Sequence, residues 1–149
     1  YEISCSLVGS EMCIRDRKTK EVIQTNYGYC MHPYDIPTKR YCQTLDLKDN
    51  PELIAEYRKR HSKEEHWPEI RKEIREIGIL EMEIYIFKNH LFMIVETPLD
   101  FDWDTAMKRL STLPHQTKWE EYMSCFQICE PDANASEKWK LMERMFYLY

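Results

Sequence analysis

The chain has 149 residues and a formal net charge of −5, from 21 Lys and Arg against 26 Asp and Glu, which is the length of a single domain. The acidic balance, without a long run of Lys or Arg, argues against nucleic acid as the main partner, and no apolar run reaches the ~18–20 residues of a membrane span. Gly9, Gly28 and Gly78 are the three glycines, too few for a phosphate loop or a dinucleotide fingerprint.

Residues 1–37 have neither sustained helical periodicity nor strand alternation. The run from Ser6 to Arg17 has the character of translated sequencing-adapter read-through, so 1–37 is set aside as a disordered or artefactual extension. The folded domain is expected to be 38–149. Nothing marks the amino terminus for secretion. Cys5, Cys13, Cys30, Cys42, Cys125 and Cys129 are therefore expected as free thiols in a reducing cytoplasm, and no spacing among them suits a metal site.

From Thr38 the pattern sharpens. Arg40 to Leu47 alternates as a strand. Asp49-Asn50-Pro51-Glu52 opens a helix, since Asp or Asn caps, Pro suits the first turn and an acid complements the helix dipole. Its apolar positions, Leu53, Ile54, Tyr57 and His61, keep helical spacing. Pro68 ends the intervening linker and starts a second helix on Ile70, Ile74 and Ile77, with Gly78 as the stop. Leu80 to Ile86 and His90 to Glu96 form a hairpin about Lys88-Asn89. The return strand is apolar enough to predict burial on both faces. Short helices are expected over Asp100–Leu110 and Thr117–Cys125, and a terminal strand at Met145–Tyr149. The order β-α-β-β-α-(α)-β predicts an α+β fold: the ferredoxin-like split β-α-β, an antiparallel sheet with helices on one face. Two copies packed sheet to sheet would cover the other face, so a homodimer is expected.

One constellation points to chemistry. Tyr57 and His61 are four apart and share a helical face, followed by His66-Trp67-Pro68-Glu69. Spacing alone fits either a half-buried contact pair or a site. His61 with Glu64-Glu65-His66 imitates a metal cluster without aligning ligands, so no metal and no cofactor is expected. Asp100, Asp102 and Asp104 suit a helix start better than calcium. Trp103, Ile94 and Val95 read as core.

From Arg40 onward the chain resembles the L-rhamnose mutarotases, small cytoplasmic dimers of ferredoxin-like fold that interconvert the anomers of a 6-deoxyhexose. The matching stretches are Glu56-Tyr57-Arg58-Lys59-Arg60-His61, Trp67-Pro68-Glu69, Tyr85, Phe92 to Glu96, Trp119 with Tyr122-Met123, and Phe146-Tyr147-Leu148. The resemblance implies His61 as the proton donor and Tyr57 as a sugar contact. It also implies an adjacent tryptophan pair, of which this chain keeps Trp119 and replaces the second with Glu120. An aromatic hydroxyl expected on the next strand falls on Met82. Glu120 would either accept from a sugar hydroxyl or lie at the surface beside Glu121. These two departures bear on sugar identity, so L-fucose rivals L-rhamnose as the substrate. A non-catalytic dimeric ligand-binding module and an oxygenase-like relative are the readings from other classes.

Overall fold

The computed structural model describes residues 28–149; the adapter-like run lies outside the described residues. Residues Ile36–Tyr149 form one compact unit. It contains strands β1 (Thr38–Asp46), β2 (Glu81–Phe87), β3 (His90–Pro98) and β4 (Lys140–Leu141), and helices α1 (Pro51–Arg60), α2 (Pro68–Glu76), α3 (Trp103–Leu110), α4 (Pro114–Ser124) and α5 (Ala135–Lys138). The sheet runs β2-β3-β1-β4 and every pair is antiparallel. This is the ferredoxin-like order expected from the element sequence.

Local chemistry explains the boundaries. Asp102 caps α3 by accepting from the Thr105 N–H at 3.1 Å, so this helix begins later than expected. Gly78 ends the α2 region at φ +101°, a left-handed conformation that glycine adopts without a Cβ penalty. Lys88 takes φ 57° in the hairpin turn. Pro114 starts α4 three residues before the expected Thr117.

Register decides which side chains meet. Tyr41, Gln43 and Leu45 of β1 face Val95, Met93 and Leu91 of β3, which in turn face Met82, Ile84 and Ile86 of β2. With the helices this face builds a core that includes Leu45, Leu91, Met93, Val95, Tyr57, Ile70, Leu110 and Met123. The opposite face stays open: Phe92 is exposed, and Ile94 and Glu96 are only half-buried. The expectation that β3 is buried on both faces is therefore incorrect for the single chain, because all the packed helices lie on one side.

The terminal strand also differs from expectation. Only Lys140 and Leu141 pair with β1; Met145–Tyr149 have no regular structure, and Met145 and Tyr149 are each 95% exposed. Among the described residues no strand pairs with them. Cys42, Cys125 and Cys129 are free thiols, whereas Cys30 is disulfide-bonded, contrary to the expectation of free thiols throughout; sequence spacing carries no information on such pairing.

Candidate active site

The end of α1 sets the geometry of its histidine. Asn50 caps the other end, accepting from the N–H groups of Glu52 at 2.9 Å and Leu53 at 3.1 Å. At the carboxyl end the His61 N–H turns to the Arg58 carbonyl at 3.2 Å. The Tyr57 carbonyl instead meets His61 Nδ1 at 2.8 Å. A carbonyl can only accept, so Nδ1 donates and the neutral ring keeps its lone pair on Nε2. Burial pushes the His61 pKa below its ordinary value; the Tyr57 carbonyl opposes this and the charge of Arg71 adds to it. The ring is neutral near pH 7, with Nε2 ready to accept a proton.

The second wall comes from α4, whose leading residue Leu113 supplies no side-chain cap. Buried Glu73 of α2 takes that role, accepting from the His115 N–H at 3.1 Å and from His115 Nδ1 at 2.9 Å. Spacing of three and four along α4 then buries Gln116, Trp119, Glu120 and Met123 together. Trp119 sets its ring against His61 at 5.3 Å and 71°, and against Trp67 at 5.3 Å and 65°. These are edge-to-face contacts that lock the indole in place.

Of the two readings of Glu120, the surface one is excluded: the residue is 9% exposed. Gln116 Nε2 donates to its Oε1 at 2.8 Å. Lys138, on the short α5, brings its ammonium to Oε2 at 2.8 Å and to the Glu120 carbonyl at 2.6 Å. Gln127 arrives from another direction, on a segment bridged to Leu47 at the end of β1. Its Nε2 donates to the Tyr57 hydroxyl at 3.5 Å. Burial raises the Tyr57 pKa far above the usual phenol range, more than the Gln127 bond lowers it, and nearby Glu120 raises it further. Tyr57 therefore stays a neutral phenol.

Tyr57, His61, Gln116, Trp119, Glu120 and Gln127 line a cavity of about 500 Å³, within the ~300–1,000 Å³ typical of small-molecule sites. All five residues singled out from sequence line it: His61, Tyr57, Met82, Trp119 and Glu120. Met82 is there because its pairing with Val95 puts it on the helix-covered face. Gln43, Gln116 and Gln127 line it too, although sequence reading passed over them. Glu73 and Lys138 were also missed; they act on residues 42 and 18 positions away, and no local pattern announces them. His66 borders the cavity, but its Nδ1 is turned to the Lys63 carbonyl at 2.8 Å and the Ser62 carbonyl at 3.2 Å. Trp103, expected in the core, packs on Tyr41 at 4.3 Å and also lines the cavity. Ile94 is half-buried on the open sheet face, while Val95 is fully buried. Among the described residues no group of three or more His, Cys, Asp or Glu is placed to hold a metal, and no helix is long and apolar enough to cross a membrane.

Fold and cavity together define a ferredoxin-like α+β protein with a cavity of small-molecule size beside the half-buried His61 imidazole. The family model for L-rhamnose mutarotase matches residues 40–148, and the chain belongs to that family. It is 34% identical over 110 residues to an L-fucose mutarotase of Xanthomonas campestris pv. campestris, covering 74% of this chain and 88% of that protein. It is also 34% identical over 101 residues to an L-rhamnose mutarotase of Burkholderia ambifaria, covering 66% and 89%. The crystal structure of an L-rhamnose mutarotase from Formosa agariphila shares the fold, with a TM-score of 0.57 at 22% identity, over 74% of this chain and 99% of that one.

Proposed function

We propose that this protein is a 6-deoxyhexose mutarotase, an isomerase that interconverts the α and β anomers of L-rhamnose, with L-fucose as the rival substrate. The observation that carries this reading is His61, whose Nδ1 is committed to the Tyr57 carbonyl while the ring borders a cavity of sugar size. The acceptors around it suit a neutral ligand rich in hydroxyl donors. Gln116 Oε1 and Gln127 Oε1 are buried without a partner, and unpaired buried acceptors call for a donor.

A pyranose is a cyclic hemiacetal, so changing anomer requires ring opening, rotation about C1–C2 and closure. His61 Nε2 takes the proton of the anomeric hydroxyl as the bond from C1 to the ring oxygen breaks. The imidazolium then delivers that proton to the freed oxygen, leaving an open-chain aldehyde and a neutral ring. After rotation the steps reverse: Nε2 takes the C5 hydroxyl proton, the oxygen attacks the other face of C1, and the carbonyl oxygen is protonated. The family resemblance implies His61 as the proton donor; the tautomer held by Tyr57 favours its accepting a proton first. Such proton transfer contributes ~10²–10⁴-fold. Tyr57 and Glu120 would hold hydroxyls, and Trp119 and Met82 would face the C–H side of the sugar or its methyl group.

The enzyme is proposed to act as a homodimer. The open sheet face and the apolar segment Met145–Tyr149 are surfaces that a second copy would cover, and sedimentation velocity tests this. A cytoplasmic setting is proposed on the free thiols Cys42, Cys125 and Cys129, with the bonded Cys30 as the observation against it. Saturation-transfer NMR of anomer exchange, run separately with L-rhamnose and L-fucose, tests the activity. Acceleration of the preferred sugar is expected, and acceleration of neither overturns the reading.

A further inference from the structure

We propose that Glu120, held in place by Lys138, is a hydroxyl-reading residue that sets affinity and selectivity among 6-deoxyhexoses, with Lys138 as its positioning residue. This rests on the mutarotase reading of the same cavity. The Glu120 side chain is 11% exposed, whereas that of Lys138 is sealed at 0%. A lysine so enclosed is rare without a partner of opposite charge, and here it meets Glu120 twice, at the carboxylate and at the backbone carbonyl.

The pair is placed for more than mutual neutralisation. A carboxylate has about four acceptor sites. Gln116 occupies one on Oε1 and Lys138 one on Oε2. Two remain, on a residue that lines the cavity, and the fixed geometry leaves little freedom to lose when a hydroxyl donates to them. Gln116, aligned by its bond to Glu120, adds an unpartnered Oε1 of its own. Lys138 does not line the cavity, so its influence on the ligand runs through Glu120.

A purely structural ion pair predicts otherwise. Replacing both partners of such a pair with apolar residues commonly restores stability. The test compares Glu120→Gln, Lys138→Met and the double variant Glu120→Leu/Lys138→Met by thermal unfolding. The same variants are assayed for KM and kcat in anomer exchange, and for Kd by calorimetry with L-rhamnose and L-fucose. The single variants are expected to unfold more readily. The double variant is expected to regain thermal stability yet keep a KM raised ~10–100-fold, the loss expected for a charged hydrogen bond, with kcat changed far less. The two sugars differ in configuration at C2 and C4, so an unequal rise places Glu120 at one of those hydroxyls, whereas an equal rise places it at a hydroxyl both sugars share and overturns its role in selectivity. A double variant with wild-type KM for both sugars overturns the proposal. Wild-type protein that binds a sugar but accelerates neither overturns the mutarotase reading alone, and Kd then decides the role of the pair. Failure to bind either sugar overturns both.

Discussion

The cavity has two unlike walls. On the α1 and α4 side stand His61, Tyr57, Glu120, Gln116 and Gln127, all held by hydrogen bonds or ion pairs. On the sheet and α3 side stand Met82, Met93, Val95, Trp103 and Met107. The first wall is rigid and polar, because each buried polar group demands a partner. The second offers shape and apolar surface, with methionines that adapt their packing. Trp119 is an apolar surface within the first wall and Gln43 a polar group on the sheet side, so the difference between the walls is one of degree.

Breaking the polar wall at its centre should have the largest effect. His61→Ala is expected to lower the acceleration of anomer exchange by ~10²–10⁴-fold while the protein stays folded, as read by NMR exchange and circular dichroism. An unchanged rate would remove the histidine from the chemistry. Next comes the support of that wall. Glu73→Ala strips α4 of its tertiary cap and should cost about 1–2 kcal/mol of stability in urea unfolding, with a rise in KM as Trp119 and Glu120 loosen.

The two walls are compared directly by Tyr57→Phe and Met82→Leu. Tyr57→Phe leaves Gln127 Nε2 buried without its partner, at a cost of about 1 kcal/mol, and should weaken sugar binding. Met82→Leu nearly conserves volume and should cost less than about 1.5 kcal/mol, with kcat close to wild type. If Met82→Leu proves the more damaging to activity, the assignment of the two walls is reversed.

The smallest effect concerns pH. The His61 pKa lies below its ordinary value, so on acidification the unfolded chain takes up this proton before the folded one. The contribution to stability is complete above the ordinary value of about 6.5 and is lost as pH falls through the lowered, folded value. Activity should show an acid limb at that same folded value, since protonation removes the Nε2 lone pair. Arg71→Gln removes one lowering influence and should move the limb slightly upward, by an amount that shrinks with added salt. The His61 ring signals in NMR report it without relying on activity.

Much of this was legible in the sequence because it is local. The Asn50-Pro51 helix start, the stop at Gly78 and the alternating hairpin each follow from neighbours within four residues, as does the shared face of Tyr57 and His61. The five candidate side chains were found this way, or through the resemblance, and the structure brings them to one cavity. Where reading failed, the local signal was real but its partner was absent or distant. Met145–Tyr149 is strand-like in composition, yet among the described residues no strand pairs with it. The apolar run of β3 does not reveal that helices cover only one of its faces.

Sequence by itself therefore determined the elements from β1 to α4, their order and the side chains brought together on those helices, since helix and strand periods are properties of a few consecutive residues. It determined neither α5 nor the place of β4. Only the tertiary structure decided that Glu120 is buried against Lys138, that Glu73 caps α4, and that Gln127 meets Tyr57 across 70 positions. Those outcomes depend on where separate elements dock, and burial turns a polar side chain that would otherwise be hydrated into one that must find a partner.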